Sequence, residues 1–429
     1  MTPRSSAEIR APAEVVRIVR RLEEAGFSTW AVGGAVRDTL AGGTPGDWDL
    51  ATAARPAEVR RLFRRTVPVG IEHGTVGVLG SDGEMYEVTT FRRDVETDGR
   101  HARVRFADTL EEDLERRDFT VNAVAWHPLT GEIRDPHAGV ADLQGGVLRT
   151  VGDPAQRFRE DRLRVLRALR FAGRFGLRVE PATWTAAREA ADHLAILSAE
   201  RVRDELRKML EQVDPPSASL ALYAESGVLA ALLPELGATA EAGGWPMVLA
   251  AVDALPRHRP LLRLAALLHR AGGVREAPRA AAAARELLRR LRSSNVDTDR
   301  VVHWVAHLGT LPAPGAGDAA LRRWLHRVGA EHAAPLLRLH AALCRATGEP
   351  TDVLERVRNV RRVLRARPPL RISDLAIGGA ELRALGLAPG PRFGEILAAL
   401  LEHVLERPSD NRPEILEERV RQAHAREDP

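Results

Sequence analysis

The sequence predicts an α+β protein, with strands and helices mixed over residues 1–150 and helices alone thereafter. Three observations carry this. Short β-branched runs bounded by turns recur as far as about His127. Amphipathic helical runs stand between them, the pattern of a layered sheet-and-helix domain of the α+β or α/β kind. After Gly152 the strand signals stop, and Ala and Leu dominate. At 429 residues with 44% hydrophobic content, the chain exceeds one ordinary core and can build several.

Taken in order, Pro12 to Ala25 reads as a helix, because Val15, Ile18, Val19 and Leu22 share one face. Gly26 then ends it. Ser28–Val32, Asp47–Thr52, Thr75–Leu79, Met85–Phe91 and Asn122–His127 read as strands, and Arg55–Phe63 as a helix between two of them. Arg93–His101, rich in charge and containing Gly99, reads as a mobile loop. Proline-rich breaks at Asp214-Pro215-Pro216, Leu311-Pro312-Ala313-Pro314 and Arg367-Pro368-Pro369 punctuate the helical part.

Composition narrows the class. The formal charge is +4, and Lys208 is the one lysine among 63 basic residues. Arginine offers a planar fork suited to phosphates and base edges. A GC-rich coding bias accounts for most of this arginine content, so each arginine is argued from its position. The single cysteine, Cys344, excludes an internal disulfide and a cysteine-based zinc site, as fits a reducing cytosol. Met1–Arg10 is polar, so no signal peptide is expected. No apolar run is long enough to span a bilayer.

The chemistry concentrates in Gly33-Gly34-Ala35-Val36-Arg37-Asp38 and Asp47-Trp48-Asp49-Leu50. On a strand, Asp47 and Asp49 project to one face and Trp48 and Leu50 to the other. Adjacent carboxylates repel unless a cation lies between them, and hard oxygen donors suit Mg²⁺. Two such ions, roughly 4 Å apart, clamp the attacking and leaving oxygens of phosphoryl transfer. Gly34 lets backbone N–H groups approach a triphosphate, and Arg37 neutralises its charge.

These motifs resemble the signature of the class II tRNA nucleotidyltransferases and their poly(A) polymerase relatives, within the polymerase-beta-like superfamily. The resemblance continues at Glu87-Val88-Thr89-Thr90-Phe91-Arg92. It is most specific at Glu111-Glu112-Asp113-Leu114-Glu115-Arg116-Arg117-Asp118-Phe119-Thr120-Val121-Asn122-Ala123. It implies that Arg117 and Asp118, and more weakly Asn122, contact the nucleotide and its ribose. A guanidinium beside a carboxylate suits a 2′-hydroxyl, which both donates and accepts. Glu87 is either a third metal ligand or general base, or a strand carboxylate holding an arginine.

Glu160-Asp161-Arg162-Leu163-Arg164 matches the family's base-reading motif. Read as one helix, Asp161, Arg164 and Arg167 share a face, with Arg170 continuing the row, while Leu163, Leu166, Leu169 and Phe171 turn elsewhere. Cytosine and adenine each present an amino donor beside a ring acceptor. An Asp acceptor beside an Arg donor complements both, and uracil and guanine present the reverse order. Mismatched buried polar groups then enforce rejection. Arg167 and Arg170 would hold phosphate or steer the reading pair. In the family, a loop at the position of Arg93–His101 serves the switch from C to A.

Ser198-Ala199-Glu200-Arg201-Val202-Arg203-Asp204-Glu205-Leu206 resembles the family's next helical motif, expected to be structural. Leu382–Pro391 resembles its tail. Leu264–His269 resembles the start of an HD phosphohydrolase motif, but Arg270 stands where a ligating Asp is needed, and no His follows between Ala280 and Arg289. His303 and His307, one turn apart, are either a metal pair or packed histidines.

The resemblance therefore implies a polymerase-beta-like nucleotidyltransferase head over residues 1–150, a helical base-selecting neck over 151–214, a degenerate HD-like body over 215–365 and a tRNA-binding tail over 366–429. The implied activity is Mg²⁺-dependent addition of C, C and A to the tRNA 3′ end from CTP and ATP, releasing pyrophosphate, in the cytoplasm and away from membranes. The alternatives are a poly(A) polymerase or A-only enzyme, an HD-type phosphohydrolase and a non-catalytic tRNA-binding module.

Overall fold

A computed structural model describes residues 9–97, 102–348 and 352–425. They form two compact units, one of residues 1–237 with 290–292, the other of 238–289 with 293–429.

The first unit opens with α1 (Ala13–Glu24), whose Val15, Ile18, Val19 and Leu22 are fully buried. Burial of each contributes about 1.5–3 kcal/mol. Gly26, at φ +86°, closes the helix as expected. The sheet comprises β1 (Thr29–Val32), β2 (Asp49–Thr52), β3 (Thr66–Gly70), β4 (Thr75–Leu79), β5 (Met85–Thr90), β8 (Ala125–Trp126) and β9 (Ile133–Arg134), in the order β3-β4-β5-β2-β1-β8-β9. The β2–β5 pair is parallel and the other pairs are antiparallel, so the sheet is mixed.

Alternation along β5 sorts the two faces. Tyr86 and Val88 join a core with Val15, Ile18, Val59 and Phe63, so α1 and α3 (Pro56–Leu62) cover that face. Glu87 and Thr89 lie on the opposite face. α2 (Gly34–Leu40) follows β1, where the glycine pair had masked a helix.

Three expectations need correction. Arg93–Thr97 is not loop but most of β6 (Arg92–Thr97), paired with β7 (Ala102–Phe106), and residues 98–101 lie outside the described residues. Asn122–His127 is strand only at Ala125–Trp126. Asn122 belongs to a 3₁₀ turn, its side chain bonded to Asp118 and Arg37. Strand pairing also persists past Gly152, since β11 (Arg178–Val179) lies parallel to β10 (Val147–Leu148).

α4 (Leu110–Glu115) and α5 (Gly139–Gln144) complete the sheet-bearing part. Six helices follow: α6 (Pro154–Glu160), α7 (Leu163–Phe175), α8 (Pro181–Ala190), α9 (Ala199–Gln212), α10 (Ser217–Glu225) and α11 (Val228–Leu232). The second unit contains helices and no strand among the described residues. There His269 Nδ1 meets the Ala266 carbonyl and Arg270 follows. The His303 and His307 rings lie 4.2 Å apart at a tilt of 31°, and each spends a ring nitrogen on a backbone carbonyl. Among the described residues, no helix is long and apolar enough to cross a membrane.

Candidate active site

A cavity of about 550 Å³ in the first unit is lined by Gly33, Gly34, Arg37, Asp49, Glu87, Arg117, Asp118, Asp161, Arg164, Arg167 and Arg170, among others. Of the nucleotide- and metal-binding candidates, only Asp47 is not on its wall. Asp47 is exposed and precedes β2, which starts at Asp49, the last residue paired with β1. Pro45-Gly46 directly upstream interrupts extended pairing. Trp48 and Leu50 do turn together into the core.

The carboxylate that stands beside Asp49 is Glu87, its register partner on the parallel strand β5. Like charges across a ladder repel. Burial, and then the Glu87 charge, push the Asp49 carboxyl up to about 6, with Arg117 opposing and Asp47 adding to the rise. A divalent cation would relieve this repulsion. Among the described residues, no group of three or more His, Cys, Asp or Glu could hold a metal. Two carboxylates sharing an ion with substrate phosphates nevertheless match the habit of Mg²⁺, so the donor set fits.

Gly33 connects β1 to α2 at φ +73°, a region open to glycine at little strain. A Cβ there would stand 3.2 Å from Arg117 Nη1 and 3.6 Å from Asp49 Oδ2. Any side chain would therefore crowd the floor of the cavity. Arg37 is buried. It donates to Asp38 Oδ1 at 2.6–2.8 Å and to Asn122 Oδ1 at 2.5 Å, under the rings of Phe171 and Phe175.

Arg117 and Asp118 do not pair with each other. Arg117 Nη2 donates to Asp113 Oδ2 at 2.9 Å. Asp118 accepts from Arg167 at 2.8 Å, from Asn122 at 2.8 Å and from the Phe119 amide at 2.9 Å. Burial pushes the Asp118 carboxyl up, but the Arg167 charge and these hydrogen bonds outweigh it and hold it at about 2. The folded value lies below the ordinary one, so the stabilisation exists above the unfolded value and fades as pH falls through the folded value. Asp118→Ala should therefore cost about 2–4 kcal/mol at neutral pH. Chemical denaturation along a pH series should show the gap closing between about pH 4 and pH 2.

The base-reading motif is not one helix. α6 ends at Glu160, Asp161 is extended (φ −147°, ψ 106°), and α7 begins at Leu163. The Asp161 carboxylate causes the break by accepting from the Leu163 amide at 3.0 Å, a local bond that competes with helix continuation. Asp161 and Arg164 still meet at the cavity. Arg164 donates to Glu160 Oε2 at 2.6 Å and to the Arg116 carbonyl at 3.2 Å. Phe171 also faces the cavity, contrary to the single-helix reading, and its ring carries Arg37, Arg167 and Arg170 at 4.4–5.2 Å.

Sequence reasoning missed the supports on α9. Arg201 donates to both Asp161 oxygens at 2.8 and 3.0 Å. Glu205, one turn later, accepts from Arg170 Nε at 2.7 Å, and both partners are buried. The i, i+4 spacing of Arg201 and Glu205 was the available signal, but nothing in it names their partners. Lys208, Gln212 and Arg174 complete that wall.

Comparison with known proteins agrees along most of the chain. Residues 29–149 match the poly(A) polymerase head domain, 176–239 the probable RNA- and SrmB-binding site of polymerase A, and 277–420 the putative domain 2 of tRNA nucleotidyltransferase. The CCA-adding enzyme of Geobacillus kaustophilus is 36% identical over 410 residues, 94% of each chain. That of Lacticaseibacillus paracasei is 34% identical over 409 residues, 91% of each. The crystal structure of the Bacillus stearothermophilus CCA-adding enzyme in complex with CTP superposes with a TM-score of 0.79 at 33% identity, covering 96% of this chain and 98% of that one.

Proposed function

Because the chain belongs to the CCA-adding enzyme family of tRNA nucleotidyltransferases, we propose that it adds C, C and A to the 3′ end of tRNA from CTP and ATP. The observation that supports this best is that an Asp49–Glu87 acid pair lines the same arginine-rich cavity as two polar groups, Asp161 and Arg164. The acid pair suits nucleotidyl transfer and the polar groups suit choosing C and A. The head, neck, body and tail divisions expected from sequence are part of this reading.

Asp49 and Glu87 would hold Mg²⁺, while Asp47, off the cavity wall, adds its charge to theirs. Bound there, the ion would supply Lewis-acid stabilisation of phosphoryl oxygens. The chain's own residues do the rest. Gly34 and Arg37 receive the triphosphate. Arg117 and Asp118 meet the ribose. Asp161 accepts from the amino group of cytosine or adenine while Arg164 donates to the neighbouring ring nitrogen. The tRNA 3′-hydroxyl oxygen attacks the α-phosphorus as its proton passes to water, the bond from that phosphorus to the α,β-bridging oxygen breaks, and pyrophosphate leaves with the electron pair. The tail and body would grip tRNA by shape and backbone charge.

Arg201 would serve as a positioning residue for Asp161. Arg201→Ala should weaken discrimination between CTP and UTP by about tenfold, the scale of one charged hydrogen bond. Because this ion pair is partly exposed, stability should move by no more than about 1 kcal/mol. Steady-state competition between the two nucleotides, with a thermal melt alongside, checks both.

The reading itself is tested with purified protein and tRNA lacking its terminal CCA, given CTP alone or ATP alone. CTP alone should extend this tRNA, and ATP should extend tRNA already ending in CC. Incorporation from ATP with none from CTP would replace the proposal by an A-only or poly(A) activity, the reading that the match to a poly(A) polymerase head keeps in view.

A further inference from the structure

A second positively charged feature lies on the first unit, away from the cavity just described. The outward side of α1 carries Arg17, Arg20 and Arg21, and that of α3 with its following residues carries Arg60, Arg61, Arg64 and Arg65, all exposed. The buried faces of both helices pack on the sheet face bearing Tyr86 and Val88. Glu87 and Thr89, on the other face, line the catalytic cavity. The arginine rows therefore stand behind the sheet.

Arg17, Arg21, Arg64 and Arg65 converge on one concavity of about 400 Å³, closed by Phe63 and the Leu79-Gly80-Ser81 turn. Of the nearby carboxylates among the described residues, only Glu14 forms an ion pair with an arginine of the concavity, through Arg17, and Asp82 beside Ser81 accepts from the Tyr86 hydroxyl. Glu14 is taken by Arg17 and Ser81. Glu23 accepts from the Thr29 amide, and Glu58 from the Arg55 amide. Glu24 is exposed at the far end of α1. Among the described residues, Arg20, Arg21, Arg60, Arg61, Arg64 and Arg65 have no ion-pair partner. Other arginines of the same domain do, as with Arg55–Asp108, Arg134–Glu132 and Arg149–Asp142. A general arginine bias accounts for the number of arginines but not for six unneutralised ones side by side.

We propose that this face is a second RNA-binding surface, contacting the phosphodiester backbone of a strand other than the 3′ end held in the cavity. Two details choose this ligand. The rows run along both helices beyond the concavity, as suits a polymer with a charge at every nucleotide rather than one small anion. Among the described residues lining the concavity the one aromatic ring, Phe63, is buried with the Arg21 guanidinium 5.6 Å from its centroid, so no stacking platform is offered to a base. Binding is accordingly indifferent to sequence. Among polyanions, the choice of RNA rests on the tRNA reading above, but the test below needs no catalysis.

The full chain is titrated with a fluorescent oligouridylate by anisotropy, from about 50 to about 200 mM salt. The Arg21→Gln/Arg64→Gln/Arg65→Gln variant should bind about tenfold or more weakly at the low-salt end, and its slope of log affinity against log salt should shrink by about 2. The corresponding triple Lys variant should keep the wild-type slope. CMP incorporation into a short acceptor-stem substrate should stay within about twofold, since none of these residues lines the cavity. Should the triple Gln variant not fold, Arg60→Gln/Arg61→Gln gives the same test with a slope change of about 1.4. An unchanged slope in a folded variant overturns the proposal. So does loss of inorganic triphosphate binding with oligouridylate binding unaltered, which would make the concavity a small-anion site.

Discussion

Asp49→Asn should abolish nucleotide incorporation, lowering the rate by about 10³-fold or more, and at the same time should make the protein more stable. The first effect is the removal of a metal-holding carboxylate whose ion supplies several kcal/mol of charge stabilisation, at about 1.4 kcal/mol per tenfold in rate. The second follows from the strain on the group. The Asp49 carboxyl is raised to about 6 by burial and by Glu87. An acid raised on folding disfavours the native state once it ionises. The cost is absent below about pH 4, grows through the folded value and is complete above about pH 6. Asn carries no such charge. With a chelator present, the variant should gain about 1–2 kcal/mol at pH 8 and nothing near pH 4. Denaturant titrations at the two pH values, together with a single-turnover assay, check both. A variant that loses activity through unfolding would show that Asp49 is a structural acid.

Asp161→Ala should lower CTP and ATP use by about 10–100-fold, the worth of a charge-assisted hydrogen bond. Rejection of UTP and GTP should collapse, because the acceptor that faces an amino group is gone. The fold should hold. Asp161 is partly exposed, and its partners are Arg201 on α9 and the Leu163 amide. Losing an exposed ion pair costs little, and losing the local cap about 1 kcal/mol. Competition among the four nucleotides separates this from a general loss of activity, in which all four would fall together.

The helices and strands with strong periodicity were legible in the sequence. α1 needed only its apolar spacing and Gly26. β4 and β5 needed only alternation. Short elements without a pattern were not legible. β3 is an edge strand whose Val67, Pro68 and Val69 are all exposed, so no burial alternation marks it. α2 begins on a glycine pair, which reads as a turn. At the site, residue types were readable and partners were not. Asp49 found its neighbour in Glu87, 38 positions on, only because β2 and β5 run parallel in register. Asp161 broke the helix expected to display it, and Arg201, 40 positions away, holds it. Such pairings depend on topology, which a local spacing rule does not contain.

The most direct measurement is sequencing of the RNA ends made by the full-length chain from a tRNA trimmed to its discriminator base, with all four nucleotides present. Extended molecules should carry C, then C, then A, and nothing beyond. Tails of A alone, or ends with U and G freely admitted, would contradict it.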